Sequence, residues 1–185
     1  LLVCRVRSNI TIGLVGITPE LPMGGEGDVS FEGFYGRRFA AHLGADGDCL
    51  RKINRHGKLA LAVTRLTGAR LPQGRTPAIP SEQAFSILQQ LGDVDGEPRW
   101  PDGRQRDSDS FAPGKVSIID LRDTLHCELK GPFDAVQYYI PRRALDDFAY
   151  ENDARPVSTL KWDRDRSDPY LSALSRLLLS ALADK

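Results

Sequence analysis

The chain has 185 residues, 41% hydrophobic and 27% charged, which is enough apolar material for a sizeable core beneath a charged surface. Its 25 Lys and Arg balance 25 Asp and Glu, and a formal charge of zero argues against a chain that grips nucleic acid by itself, since such domains carry a basic excess. The balance is uneven along the chain: residues 1–75 hold 11 basic and 6 acidic side chains, residues 76–185 hold 14 and 19, an asymmetry that solvated surface charge accounts for. The three cysteines, Cys4, Cys49 and Cys127, are scattered without a C-x-x-C pair, so neither a disulfide framework nor a zinc site is expected and a cytoplasmic location suits them.

Residues 1–33 are poorly patterned. Their apolar opening is broken by Arg5, Arg7 and Asn9, so it matches neither a secretory leader nor a membrane span of about 18 apolar residues. The Pro- and Gly-rich stretch Pro19 to Asp28 reads as a loop. Phe34, Tyr35, Phe39 and Leu43 then recur at helical spacing, with Gly44 placed to end the turn. Lys58 to Leu66 reads as a strand. So does Gln83 to Leu91, where Phe85, Ile87 and Gln89 alternate with Ser86, Leu88 and Gln90. A Pro-Asp-Gly turn within Arg99 to Gln105 signals a hairpin. Further strands are expected in Phe111 to Leu121, after its turn, in Leu125 to Leu129 and in Phe133 to Ile140. Five or more short strands separated by turns predict a sandwich or barrel.

Pro141 ends the last strand, and a short helix is expected to follow at once from Arg142. In the final segment Asp168 is a good N-cap and Pro169 sits at the first helical position, where its missing N–H costs nothing. Leu171, Leu174, Leu178 and Leu182 line one face of that helix, either against the chain's own strands or against a partner helix.

No catalytic apparatus is visible. His42, His56 and His126 lie apart, and none has ligand-like spacing to further donors. There is no G-x-S-x-G, Walker loop or H-x-H pair. The run Asp163 to Asp168 fails as a calcium loop because Asp168 stands where the turn glycine belongs and Leu174 where the bidentate Glu belongs. Cys127 beside His126 is no dyad, because neighbours on a strand point to opposite faces. Neither an enzymatic activity nor a metal or other cofactor is therefore expected.

Four ordered stretches together carry a resemblance: IPSEQAFSILQQL, EPRWPDGRQ, FAPGKVSIIDLR and GPFDAVQYYIPRRALDDFAYEN, spread over Ile79 to Asn152. They resemble the N-terminal effector-sensing domain of AraC/XylS-type transcriptional regulators. The resemblance implies an α+β fold, a cupin-like β-barrel or sandwich followed by C-terminal helices. It divides the chain into a poorly patterned segment 1–33, a sensor barrel 34–141 and a helical dimerisation and linker region 142–185. It also implies a small-molecule effector, a homodimer, and control of transcription. No segment here reads as a helix-turn-helix, so contact with DNA is expected only through a C-terminal domain outside this chain. The first 50 residues match weakly.

Candidate effector-binding residues follow from the predicted strands and hairpin. Arg65 and Gln89 are polar positions on strands, suited to a polar effector or to the surface. Trp100 closes a pocket mouth or covers a barrel edge. Tyr138 is placed with Asp134, Val136 and Ile140 on the more apolar and hence inward face, as an effector contact or a satisfied core tyrosine. Asp134 and Arg142 flank the strand and brace its corner with the helix. Leu171, Leu174, Leu178 and Leu182 are the candidate dimerisation residues. The other readings left open are a stand-alone cupin-like binding protein or enzyme, and a dimerisation module whose pocket is empty.

Overall fold

The computed structural model describes residues 33–53, 57–68, 76–92, 112–123, 132–161 and 167–183. The expected hairpin at 99–105, the expected strand at 125–129 and the segment 1–32 lie outside the described residues.

The first element is the helix α1, Gly36–Leu43. Phe39, Ala40 and Leu43 are buried on one side of it, and Gly44 ends it in the left-handed region at φ 68°. That is the capping role the sequence assigns to a glycine with no Cβ to clash. Strand β1, Asp46–Ile53, follows almost without a connection and was not foreseen in the sequence. Its polar sequence DGDCLRKI shows why: it is an edge strand, mostly exposed, that forms by backbone pairing rather than by apolar alternation. At Gly47 an added Cβ would come within 2.7 Å of the Ala40 Cβ, so glycine is what lets α1 lie close on this strand.

Strands β2 (Leu59–Gly68), β3 (Ala84–Gln90), β4 (Val116–Asp120) and β5 (Phe133–Pro141) complete one five-stranded sheet in the order β1-β2-β5-β3-β4. Every pairing is antiparallel. The central strand β5 aligns Val63 and Ile87 on either side of Tyr138, and Ala62 and Ser86 on either side of Tyr139. Two helices follow, α2 (Arg142–Glu151) and α3 (Pro169–Ala183). The class is α+β, an antiparallel sheet followed by C-terminal helices, as expected.

Both faces of the sheet are covered. On one, Val63, Ile87, Val116, Val136, Tyr138 and Ile140 form a cluster with Leu171 of α3. On the other, Ala62, Leu66, Ala84, Ala135 and Tyr139 pack with Phe34, Tyr35 and Phe39. This corrects the expectation of one inward and one outward face on β5. A strand covered on both sides has no solvent face, so its alternation separates two interiors rather than inside from outside.

The strand-to-helix switch at Pro141 is held from several directions. Arg142 donates its backbone N–H to the Gln83 carbonyl at 2.9 Å and a guanidinium N–H to the Ser158 carbonyl at 2.9 Å. The same guanidinium pairs with Asp120 and lies 4.1 Å from the centre of the Phe85 ring. Asp120 is also gripped by Arg122 at 2.7 Å. Arg142 thus braces the corner as expected. Asp134 sits at the far end of β5 and pairs with Arg65 instead.

Candidate effector-binding site

Among the described residues, the buried part of the face under α3 is apolar except for one sealed chain of hydroxyls and an amide. Tyr138, 1% exposed, meets Ser175 Oγ at 2.6 Å, and Ser175 donates onward to Gln89 Oε1. With Ser175 donating to the amide oxygen, the tyrosine hydroxyl is the donor to Ser175. Gln89 Nε2 donates to Ser172 Oγ at 2.8 Å, and Ser172 donates to the Asp168 carbonyl at 2.8 Å. Asp168 caps α3 by accepting the N–H groups of Tyr170 and Leu171 at 2.8 and 3.0 Å. Burial pushes the Tyr138 phenol up to about 12, against a smaller downward pull from its bond to Ser175.

Three of the four effector candidates meet here. Arg65, Gln89 and Tyr138 lie on this same face, because Arg65 and Gln89 both align with Val136, two residues from Tyr138. Tyr138 is the satisfied core tyrosine of the two readings, and the polar atoms of Gln89 are taken up by α3. Arg65 forms a two-pronged pair with Asp134 at 3.2 and 2.9 Å, half-exposed. Trp100 lies outside the described residues. The leucine stripe of α3 packs on the chain's own sheet: Leu171 is buried, with Leu174 and Leu178 half-buried against the same cluster, and Leu182 is buried as well. The turn of the helix that sets these leucines inward leaves Tyr170 and Leu177 outward.

The opposite face is built differently. Its polar side chains are stitched to the backbone of the segment just before α1. Glu82 accepts the Phe34 N–H at 2.9 Å and the Tyr139 hydroxyl at 2.8 Å on one carboxylate oxygen. Thr64 accepts the Gly36 N–H at 2.9 Å, where Gly36 takes φ 60°. Gln137, fully buried, donates to the Phe34 carbonyl and to Ser86, while its Oε1 has no partner among the described residues. The Tyr35 and Tyr139 rings lie 5.0 Å apart. Burial raises the Tyr139 phenol above its ordinary range, and its bond to Glu82 and that carboxylate's charge push the same way, while Arg143 pulls weakly against them.

At the edge of this face a half-open cleft of about 780 Å³ is bounded by Arg38, Lys58, Glu82, Gln83, Tyr139 and Arg143, with Gly33, Gly57, Leu59 and Pro141 completing its wall. Four parts of the chain converge on it: α1, the start of β2, the lead into β3, and the β5–α2 corner. Sequence reading missed it because Arg38, Lys58 and Arg143 look like ordinary surface cations. The one legible signal was the corner at Pro141, where a strand turns straight into a helix. Among the described residues no group of three or more His, Cys, Asp or Glu side chains is placed to hold a metal ion. Likewise, no helix among them is long and apolar enough to cross a membrane.

No protein-family model matches the chain, and no curated protein matches it. Solved structures do. It is similar to the plu4264 protein from Photorhabdus luminescens at 13% identity, over 59% of this chain and 85% of that one, with a TM-score of 0.41. It is similar to the ectoine synthase from P. lautus at 12% identity, over 66% and 83%, with a TM-score of 0.38. It is similar to the DMSP lyase DddQ from Ruegeria pomeroyi at 19% identity, over 51% and 46%, with a TM-score of 0.33. At such scores these likenesses carry nothing about substrate or residue roles. Two of the three are enzymes by name, which corrects the expectation of a chain without enzymatic activity; that expectation is dropped, and no reaction is assigned in its place.

Proposed function

We propose that the chain is a cupin-like small-molecule-binding domain, and that it serves as the effector-sensing part of an AraC-type transcriptional regulator. The observation that carries the binding part is the cleft beside the β5–α2 corner. Its volume of about 780 Å³ falls in the range of small-ligand pockets, and charged and hydroxyl groups converge on it from separate elements. The regulator part rests on the four ordered sequence stretches between Ile79 and Asn152.

The cleft's position suits a sensor. Pro141 and Arg143 belong to the strand-to-helix corner, so a ligand seated there touches the start of α2 directly. A bound molecule could thus bias the helical part without crossing the core. In this reading the effector contacts are Arg38 and Arg143 above a floor formed by Glu82 and Tyr139, while Gln89 and Tyr138 hold α3 to the sheet. A homodimer and a cytoplasmic location belong to the same reading, with the outward side chains of α3 available to a second copy.

The test has two arms. Native mass spectrometry of purified protein should detect a small molecule bound one to one, retained by wild type and lost on Arg143→Ala. The gene's reading frame beyond Lys185 should encode a helix-turn-helix pair. A bound molecule that the protein converts to a product, with no DNA-binding frame following, would replace the sensor by an enzyme.

A further inference from the structure

The chain as a whole is neutral, but the cleft is not. Among the described residues that line it, Arg38 and Arg143 stand against a single carboxylate, Glu82, and Lys58 has a partner of its own. That carboxylate is already engaged, accepting the Phe34 N–H and the Tyr139 hydroxyl. Among the described residues neither Arg38 nor Arg143 forms an ion pair; Arg38 instead lies 5.6 Å from the centre of the Phe34 ring. Elsewhere on the described surface arginines take carboxylates readily, as Arg65 does with Asp134 and Arg122 with Asp120. Helix α2 begins at the cleft wall with no acidic residue in its first turn and no capping side chain. Its helix dipole therefore adds to the same sign of potential rather than opposing it.

We infer that the cleft takes a small organic anion, its carboxylate or phosphate held between Arg38 and Arg143. This deepens the proposed ligand-binding reading and rests on it. Two arginines from different helices can each present a planar fork of N–H donors to an oxyanion, and a partly enclosed wall raises the strength of such bonds over their strength in water. Tyr139 and Glu82 are spent on each other, so they shape the floor, and Leu59 and Pro141 supply the apolar wall against which a carbon skeleton rests. A neutral molecule would leave both guanidinium groups unanswered.

Thermal unfolding of the full chain tests this with defined probes: succinate, inorganic phosphate and glycerol phosphate as anions, succinamide and glycerol as neutral counterparts. At least one anion should raise the melting temperature in a saturable way, and its neutral counterpart should not. Raising the ionic strength should weaken the effect. Arg143→Gln or Arg38→Gln should each weaken the apparent affinity about tenfold, the loss expected for one charge-assisted hydrogen bond. Arg65→Gln, on the other face, should leave the affinity unchanged. Comparing succinate with the phosphates tells a carboxylate site from a phosphate site. If neutral probes bind and the two arginine variants do not weaken them, the anion inference falls while small-molecule binding at the cleft stands. If no probe of either kind shifts the melting temperature, or if Arg65→Gln abolishes the shift as fully as Arg143→Gln, the inference is overturned, and in the first case the cleft loses its support as a ligand site too.

Discussion

Tyr138 and Tyr139 are neighbours in the chain and belong to two different environments. Tyr138 faces α3 and is locked into a chain of bonds in which donor and acceptor roles follow from one another from its hydroxyl to the cap of the helix. Tyr139 faces the segment before α1 and reaches the wall of a cleft that solvent enters. Strand alternation alone makes this division, since successive side chains leave a strand on opposite sides. One strand at the centre of the sheet thereby serves a closed, packed interior with one face and an open, charged site with the other. The closed face gains rigidity because its run of Tyr138, Ser175, Gln89 and Ser172 is bonded from end to end. The open face keeps groups in reserve: the buried Gln137 Oε1 has no partner among the described residues, and two guanidinium groups lack counter-ions there.

One large buried side chain anchors the cover of each face. Phe39 is 1% exposed and fixes α1 over the cleft face; Leu171 is 5% exposed and fixes α3 over the other. Phe39→Ala should cost about 3–5 kcal/mol and Leu171→Ala about 2–5 kcal/mol in chemical denaturation, by lost transfer energy and the cavity left behind. Only the first should also weaken probe binding at the cleft, because α1 carries Arg38. Equal loss of binding in both variants would mean that the two faces are not independent.

A smaller effect isolates the sealed chain. Ser175→Ala removes the hydroxyl that joins Tyr138 to Gln89 and strands two buried polar groups. That should cost about 1–3 kcal/mol, whereas Tyr138→Phe, which leaves Ser175 still bonded to Gln89, should cost only about 0.5–1.5 kcal/mol at neutral pH. The alkaline side sharpens the contrast. The folded Tyr138 phenol is raised to about 12 from an ordinary value of 10.0. Between those values the unfolded chain has released a proton that the folded chain still holds. The stabilisation is therefore complete below pH 10 and drains away as the pH climbs towards 12. Tyr138→Phe should flatten that alkaline limb in melting temperature against pH. An unchanged limb would place the titration on Tyr139, whose phenol is raised as well.

The elements legible in the sequence were those whose pattern and boundary agree. The span of β5 with its proline stop, the Asp168-Pro169 start of α3, and the Gly44 end of α1 are fixed by local chemistry that neighbours cannot override. Strand β1 was illegible because its stability comes from pairing with β2 and its side chains are mostly wet. The inward assignment of Tyr138 rested on counting apolar residues, and on a strand covered twice the count does not say which cover is which. The cleft was hidden for a deeper reason. Arg38, Lys58 and Arg143 stand far apart in sequence, and only the sheet order, which sets β5 between β2 and β3, brings their elements to one place.

The smallest change concerns the outside of α3. Leu177 is 71% exposed and Tyr170 60%, on the side of the helix turned from the sheet, while the leucines once expected to meet a partner are at least half-buried at home. An exposed position of this kind contributes little to folding, so Leu177→Glu should shift stability by no more than about 0.5 kcal/mol. If the proposed homodimer forms through α3, the same substitution sets a charge in an apolar contact and should weaken association severalfold in sedimentation velocity, with melting at low concentration unchanged. Arg176→Glu tests charge alone, since Arg176 is exposed on the neighbouring side of the same turn. A dimer equally insensitive to both substitutions is held together elsewhere. A dimer weakened by both is steered by charge rather than by the exposed pair Tyr170 and Leu177. Loss on Leu177→Glu alone assigns the contact to that pair and leaves Leu171, Leu174, Leu178 and Leu182 to the interior.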